Sequence, residues 1–199
     1  MKKLLPLLSL SALLCSGLFA QTAEDRAKAI AYLLKTENGV IAGAKGLSAA
    51  QLNFKAAPER WSVAEVLEHI ASAEDFLMGM VHEQVMKAPA RAAGEDVAAI
   101  DAFVLAAIPD RTNKLQAPEP LKPNNRYGSA ADSLKHFEES RAKTIAFLKD
   151  SKDLRDHAMD SPLGKKLDAY EWVLFVAAHS ERHTKQLLEV KADPHFPKS

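Results

Sequence analysis

The sequence has only one cysteine in 199 residues, Cys15, and it lies in an apolar stretch near the start. Without that stretch the chain contains no thiol. Disulfide bonds, thiolate metal ligands and a cysteine nucleophile are then excluded together. Lipid attachment at Cys15 is disfavoured, because Leu14 stands where a lipoprotein signal has a small residue.

An excess of charge of either sign is also missing, since 26 lysine and arginine residues balance 26 acidic ones. Loss of Lys2 and Lys3 would leave only a slight acidic excess. Proteins that bind nucleic acid usually present a clustered basic face, and the sequence has no such cluster. We therefore expect no nucleic-acid partner.

Long apolar runs are scarce, and the clearest one is at the beginning. Lys2 and Lys3 precede an apolar run over residues 4–14, and small residues follow it. This order is typical of a signal peptide. The sequence predicts that residues 1–20 are removed before Gln21 and that the protein is exported, to the periplasm or the medium. The run is shorter than the roughly 20 apolar residues of a transmembrane helix, so no stable membrane span is expected after cleavage.

Sustained alternation of polar and apolar residues, the signal of a half-buried strand, is absent as well. Apolar residues instead recur at helical spacing, and a capping residue precedes each such segment. The fold class predicted is all-α, a four-helix bundle formed by a single domain of residues 21–199. The predicted helices cover residues 23–47, 62–87, 129–150 and 168–191.

The second and third predicted helices are joined by a long connection, residues 88–128, which we call the crossover. Within it, residues 96–107 are predicted to form a short helix. Residues 108–128 contain four prolines and are predicted to be irregular, because proline lacks an amide donor and disfavours helix. A second loop is predicted for residues 150–167.

Three histidines are the most informative residues. His179 and His183 are four positions apart in the last predicted helix, so their rings project from one face about 6 Å apart. His69, in the second predicted helix, could supply a third nitrogen. Three imidazoles around one metal ion leave a coordination position open, as in catalytic sites. The alternative is that they are ordinary structural histidines. The remaining histidines are predicted at the surface: His82, His136, His157 and His195.

Three stretches of sequence resemble the DinB-like superfamily. They are LSAAQL (47–52), PERWSVAEVLEHI (58–70) and GKKLDAYEWVLFVAAHSERHTKQL (164–187), in the family's order. The resemblance implies a four-helix bundle with a long crossover, in which His69, His179 and His183 form the metal triad. It also makes a homodimer one option. Zinc or nickel suits imidazole ligands best, and iron or manganese remains compatible.

Further polar residues are candidates for supporting roles. Glu65 could orient the His69 ring or could cap its own helix, and the latter is the more common role. The family pattern has a glutamine three residues after the second histidine of the pair, which is Gln186 here. Glu37 and Arg141 interrupt apolar stripes and are expected to reach solvent, with a polar cavity as the alternative. Glu181 lies on a different face from the histidines.

Two classes of function follow. One is a metal-dependent enzyme, of hydrolase or S-transferase type, that acts on a small molecule. The family includes enzymes that use bacillithiol or mycothiol, but such thiols are mainly cytosolic, which conflicts with export. The other class is a non-catalytic metal- or ligand-binding bundle. A structural protein that does not need a metal is the remaining alternative. An open coordination position would favour the enzyme, and a fourth protein ligand would favour the binding protein.

Overall fold

The computed structural model describes residues 22–198, so the predicted signal peptide, residues 1–20, lies outside the described part of the chain. In chain order the helices are α1 (Ala23–Ala44), α2 (Ala49–Asn53), α3 (Val63–Glu83), α4 (Val97–Ala107), α5 (Ala130–Asp150) and α6 (Ala169–Lys191). Two single 3₁₀ turns cover Val85–Lys87 and Glu119–Leu121, and two short strands are β1 (Ala158–Asp160) and β2 (Lys166–Asp168). Among the described residues, no helix combines the length and apolar content needed to cross a membrane.

The four long helices form the predicted bundle. Each packs against two neighbours, in the cyclic order α1, α6, α3, α5. Helices α3 and α5, which the crossover joins, are therefore neighbours, whereas α5 and α6 touch only slightly. Helix α4 packs on α6, so the crossover covers the side of the bundle where α3 and α6 meet.

Local capping explains where the long helices begin. Helices α1, α3 and α6 each begin with a reciprocal capping box, formed by Thr22, Ser62 and Asp168 respectively. Ser129 caps α5. Side-chain oxygens thereby satisfy backbone N–H groups that have no partner within the helix. The predicted starts are confirmed. Helix α1 ends three residues earlier than predicted, because the backbone of Lys45 is no longer helical, with ψ 129°, and Gly46 has φ +74°.

The predicted loop over residues 150–167 is wrong in one part, since it contains β1 and part of β2. The two strands pair antiparallel, with Ala158 opposite Asp168 and Asp160 opposite Lys166. Gly164, at φ +69°, lies in the turn between them. Each strand has three residues, too few for an alternating pattern to be visible in the sequence.

The prediction that Arg141 reaches solvent is also wrong. Its side chain is 0% exposed and lies between the helices. Glu74 on α3 accepts two of its N–H groups, at 2.9 and 2.8 Å. The other three go to the Leu33 carbonyl, Thr36 and Ser180. Burial is tolerated because all five guanidinium donors have acceptors. Glu37 is half-buried nearby, and its burial raises the pKa of its carboxyl.

Candidate metal centre

The packing of α3 against α6 brings three histidines together. His69 lies on α3, and His179 and His183 lie one turn apart on α6. The Nε2 atom of His69 is 3.3 Å from Nε2 of His179 and 3.2 Å from Nε2 of His183. One ligand atom from each residue lies within 4.8 Å of those of the other two.

The hydrogen bonds on the far side of two rings determine which nitrogen carries the proton. Nδ1–H of His69 donates to the carbonyl oxygen of Leu121 at 2.8 Å. Nδ1–H of His183 donates to Oε1 of Gln186 at 2.8 Å, and Arg111 also donates to that oxygen. In a neutral imidazole the other nitrogen is then an acceptor. The Nε2 lone pairs of His69 and His183 therefore face each other, an arrangement that a cation between them would stabilise.

The spacing of the nitrogens fits a metal ion. Imidazole nitrogens bind zinc at about 2.0–2.1 Å, and tetrahedral angles then separate two such nitrogens by about 3.3–3.4 Å. The two Nε2 separations from His69, 3.3 and 3.2 Å, are close to this value. The donor set and its geometry are thus compatible with one divalent ion.

The surroundings of the three imidazoles favour their neutral form. Burial lowers the pKa of His69, and it lowers the pKa of His179 and His183 well below the ordinary value. The neighbouring imidazoles lower the pKa of His179 and His183 further. Neutral imidazole is the form that binds metal ions.

Within residues 22–198, no fourth imidazole, thiol or carboxylate joins the cluster. His69 and His183 are buried, whereas His179 is partly exposed. His179 is thus the most exposed of the three ligand candidates. Aromatic rings flank it, with Trp61 at 4.8 Å from the His69 ring and Phe175 at 6.4 Å from the His179 ring, centroid to centroid.

Comparison with known proteins agrees with this fold. A sequence model of the DinB superfamily matches residues 32–187, which is most of the chain. The chain belongs to the DinB superfamily. The uncharacterized protein YuaE of Bacillus subtilis strain 168 is 29% identical to it over 148 residues, which are 74% of this chain and 87% of YuaE.

Among solved structures, this DinB protein is similar to YfiT from Bacillus subtilis. YfiT is described as a probable metal-dependent hydrolase with an unusual four-helix bundle topology. The TM-score is 0.55 at 14% sequence identity, and the match covers 86% of this chain and 88% of YfiT. At that identity the likeness establishes the fold, and the predicted four-helix bundle is confirmed.

Of the two candidates for a supporting role, only Gln186 contacts one of the three histidines. Glu65 does not orient His69: its carboxylate accepts the Ser62 N–H at 2.7 Å and pairs with Lys55 at 2.9 Å. The acceptor for His69 is a backbone carbonyl, which has no side-chain signature in the sequence. Gln186 does lie against a ligand candidate, His183.

Glu181 lies away from the three histidines, as predicted. It accepts a hydrogen bond from Tyr32 and pairs with Lys185, each at 2.9 Å.

The remaining histidines take no part in the cluster, but two of them are half-buried instead of lying freely at the surface. Nε2 of His136 contacts Asp75 at 2.5 Å, and its ring stacks on Tyr127. Nδ1 of His157 contacts the Ala88 carbonyl at 2.5 Å. His82 and His195 are exposed.

Proposed function

We propose that this DinB protein is an exported metal-dependent enzyme of hydrolase or S-transferase type. In this proposal His69, His179 and His183 hold one divalent ion, and the substrate is a small molecule. The observation that carries it is the distance of 3.2 Å between the Nε2 atoms of the buried His69 and His183, whose lone pairs face each other. Zinc or nickel suits three imidazoles best, and iron or manganese remains compatible.

The chain supplies the position and the protonation state of the ligands. Leu121 and Gln186 accept hydrogen bonds from the Nδ1–H groups of His69 and His183, so both Nε2 atoms are directed at one point. Trp61 packs against the His69 ring, with the two ring centroids 4.8 Å apart. A divalent ion there would supply Lewis-acid activation of a water, a thiol or a carbonyl.

Hydrolysis is the preferred reaction class. YfiT, which shares the fold, is described as a probable metal-dependent hydrolase. Export also favours hydrolysis, because water is available in every compartment whereas the thiols of the S-transferases are mainly cytosolic. Cleavage of an ester or an amide is therefore the first reaction to test, and thiol transfer is the second.

The alternative is a non-catalytic metal- or ligand-binding bundle. Such a protein would hold its ion with a closed set of four protein ligands. The described residues offer three side-chain ligands and no fourth, and His179 is the most exposed of the three. This arrangement favours the enzyme over the alternative.

The metal proposal is tested by elemental analysis of the purified protein, followed by reconstitution with zinc or nickel. Wild type is expected to bind one ion per chain, and His69→Ala, His179→Ala or His183→Ala each to abolish tight binding. His136→Ala and His195→Ala are the matched controls and should bind normally. Equal binding by wild type and His183→Ala would contradict the proposal.

The enzymatic part is tested by a screen of ester hydrolysis, amide hydrolysis and thiol transfer with the reconstituted protein. Any activity should be lost on chelation and return when the divalent ion is added. Cysteine reagents should have no effect on the chain from Gln21 onward, which has no cysteine. A reaction that survives both chelation and His183→Ala would place the chemistry elsewhere.

Export and assembly need separate measurements. Intact mass of the protein from its native envelope should correspond to a chain that begins near Gln21, and a mass that includes residues 1–20 would contradict export. The homodimer suggested by the resemblance is tested by sedimentation of the metal-loaded protein.

A further inference from the structure

A buried charged residue directly precedes each of the two buried histidines. Glu68 precedes His69 on α3, and Arg182 precedes His183 on α6; both side chains are at least nine-tenths buried. Both residues bind backbone groups of the crossover. The two charges thus connect the ligand-bearing helices to the same connecting segment.

Glu68 binds the later part of the crossover. Its carboxylate accepts the backbone N–H groups of Asn124 at 2.8 Å, Asn125 at 2.9 Å and Arg126 at 3.1 Å. Three N–H groups on one carboxylate form a strong, directional attachment. Burial would raise the pKa of Glu68, but these hydrogen bonds outweigh it and lower the pKa.

The segment that Glu68 holds contains the acceptor for His69. Leu121 lies three residues before Asn124, in the 3₁₀ turn Glu119–Leu121, and its carbonyl accepts Nδ1–H of His69. Attachment of residues 124–126 therefore keeps this carbonyl beside the ring. Glu68 is thus linked to the adjacent His69 through the backbone of residues 121–126.

Arg182 forms the corresponding attachment at the earlier part of the crossover. Its guanidinium donates to the carbonyl oxygens of Ile108 at 3.3 Å, Asn113 at 2.7 Å and Asp110.

The segment that Arg182 holds contains Arg111. Arg111 pairs with Glu189 at 2.6 and 2.7 Å and donates to Oε1 of Gln186 at 3.4 Å. The same Gln186 oxygen accepts Nδ1–H of His183. Arg182 is thus linked, through Arg111 and Gln186, to the adjacent His183.

We infer that Glu68 and Arg182 are positioning residues for the metal centre, which attach the crossover so that Leu121 and Gln186 hold His69 and His183 as Nδ1–H tautomers. This inference rests on the proposed metal function. Attachment on both sides reduces the freedom of the two rings before the ion binds. Partners of metal-bound histidines typically change metal affinity roughly 10-fold to 100-fold when they are removed.

The test compares Glu68→Gln and Arg182→Met with matched controls. Glu65→Gln removes a carboxylate one turn earlier on α3, where it caps the helix. Lys191→Met removes a cation of α6 that donates to the Gly43 carbonyl, away from the crossover. Zinc affinity is measured by competition with a chromogenic chelator at fixed pH. We expect Glu68→Gln and Arg182→Met to bind zinc at least tenfold more weakly, and both controls to stay within about twofold of wild type.

Two readouts in the metal-free protein separate positioning from general loss of structure. Side-chain nitrogen NMR should show His69 as the Nδ1–H tautomer in wild type and Glu65→Gln, and as a mixture in Glu68→Gln. Hydrogen exchange at the amides of residues 124–126 should accelerate in Glu68→Gln while the amides of α3 and α6 stay protected. Exchange that rises throughout the bundle would indicate partial unfolding and would contradict a positioning role.

The outcomes distinguish this inference from the proposed function. If wild type binds zinc and Glu68→Gln and Arg182→Met bind it equally well, the metal function stands and the positioning role is overturned. If wild type binds zinc no better than His183→Ala, the metal function fails. In that case the positioning role is judged from the His69 tautomer in the metal-free protein. If Glu68→Gln leaves this tautomer unchanged, the positioning role is overturned as well.

Discussion

The two buried ring nitrogens that face away from the cluster are hydrogen-bonded to neutral oxygens. A backbone carbonyl accepts the hydrogen bond from Nδ1–H of His69, and a side-chain amide oxygen accepts the one from Nδ1–H of His183. A carboxylate in either place would make the ring a stronger electron donor and would partly neutralise a bound cation. With neutral acceptors, a divalent ion would keep most of its positive charge, which suits activation of a bound water or carbonyl.

The role of the amide acceptor can be tested at Gln186. Gln186→Leu removes the acceptor while keeping a similar volume, and we expect zinc to bind roughly tenfold more weakly because the His183 ring loses its orientation. Gln186→Glu keeps an oxygen within reach of both Nδ1–H and Arg111 and makes the His183 ring a stronger electron donor, so this variant should bind zinc at least as tightly as wild type. Chelator competition measures both variants, and equal loss in both would contradict the role given to the oxygen.

Among the secondary-structure elements, the close contact of α1 with α6 depends on a glycine. A Cβ atom on Gly43 would lie 3.1 Å from Cδ1 of Leu187, whereas a Cβ on Gly79 of α3 would meet nothing within 4 Å. The two positions thus differ in packing although both are helical. The same substitution at each separates packing from helix propensity.

We expect Gly43→Leu to lower the free energy of unfolding by about 1–3 kcal/mol, because the larger side chain overpacks the α1–α6 interface. Gly79→Leu should instead raise it by roughly 0.5–1 kcal/mol, since leucine is the better helix former and space is open. Urea unfolding followed by circular dichroism measures both. Stabilisation by Gly43→Leu would show that the two helices separate easily.

Helices were predictable from the sequence because their signals are local. A capping serine at position 62 or 129 and apolar residues at helical spacing occur within one segment, and so does the His179–His183 pair. The Leu121 carbonyl was not predictable, since every residue carries such an atom. Burial of Arg141 was not predictable either, because its acceptors come from three other helices.

On the scale of the whole molecule, Arg141 connects all four long helices. It lies on α5 and binds Leu33 and Thr36 of α1, Glu74 of α3 and Ser180 of α6. Breaking one side of a buried ion pair leaves an uncompensated charge, at a cost of about 3–5 kcal/mol. The network therefore has a large influence on bundle stability.

Arg141→Met is expected to lower the free energy of unfolding by about 3–5 kcal/mol, because Glu74 stays buried without its partner. The double variant Arg141→Met with Glu74→Leu should recover much of that loss, since two apolar side chains replace the pair. Urea unfolding of both single variants and the double variant gives the coupling between the residues. Additive losses would show that the ion pair contributes little beyond its separate contacts.

Metal binding should change the stability of the whole bundle, because the ligands come from both α3 and α6 and are not held together in the unfolded chain. If zinc binds one site of the folded protein only, zinc at about 100 times its Kd raises the free energy of unfolding by about 2.7 kcal/mol. For a domain of this size, that corresponds to a rise in Tm of about 5–10 °C.

The measurement is thermal unfolding over a zinc titration, with magnesium as the control ion because it prefers oxygen ligands. Above saturation, each tenfold increase in zinc should add about 1.4 kcal/mol for a single site, and a slope twice as steep would indicate two ions per chain. His136→Ala should respond as wild type does, whereas His183→Ala should not respond. An equal rise in His183→Ala would mean that zinc stabilises the bundle at another place, and the three histidines would then no longer be its ligands.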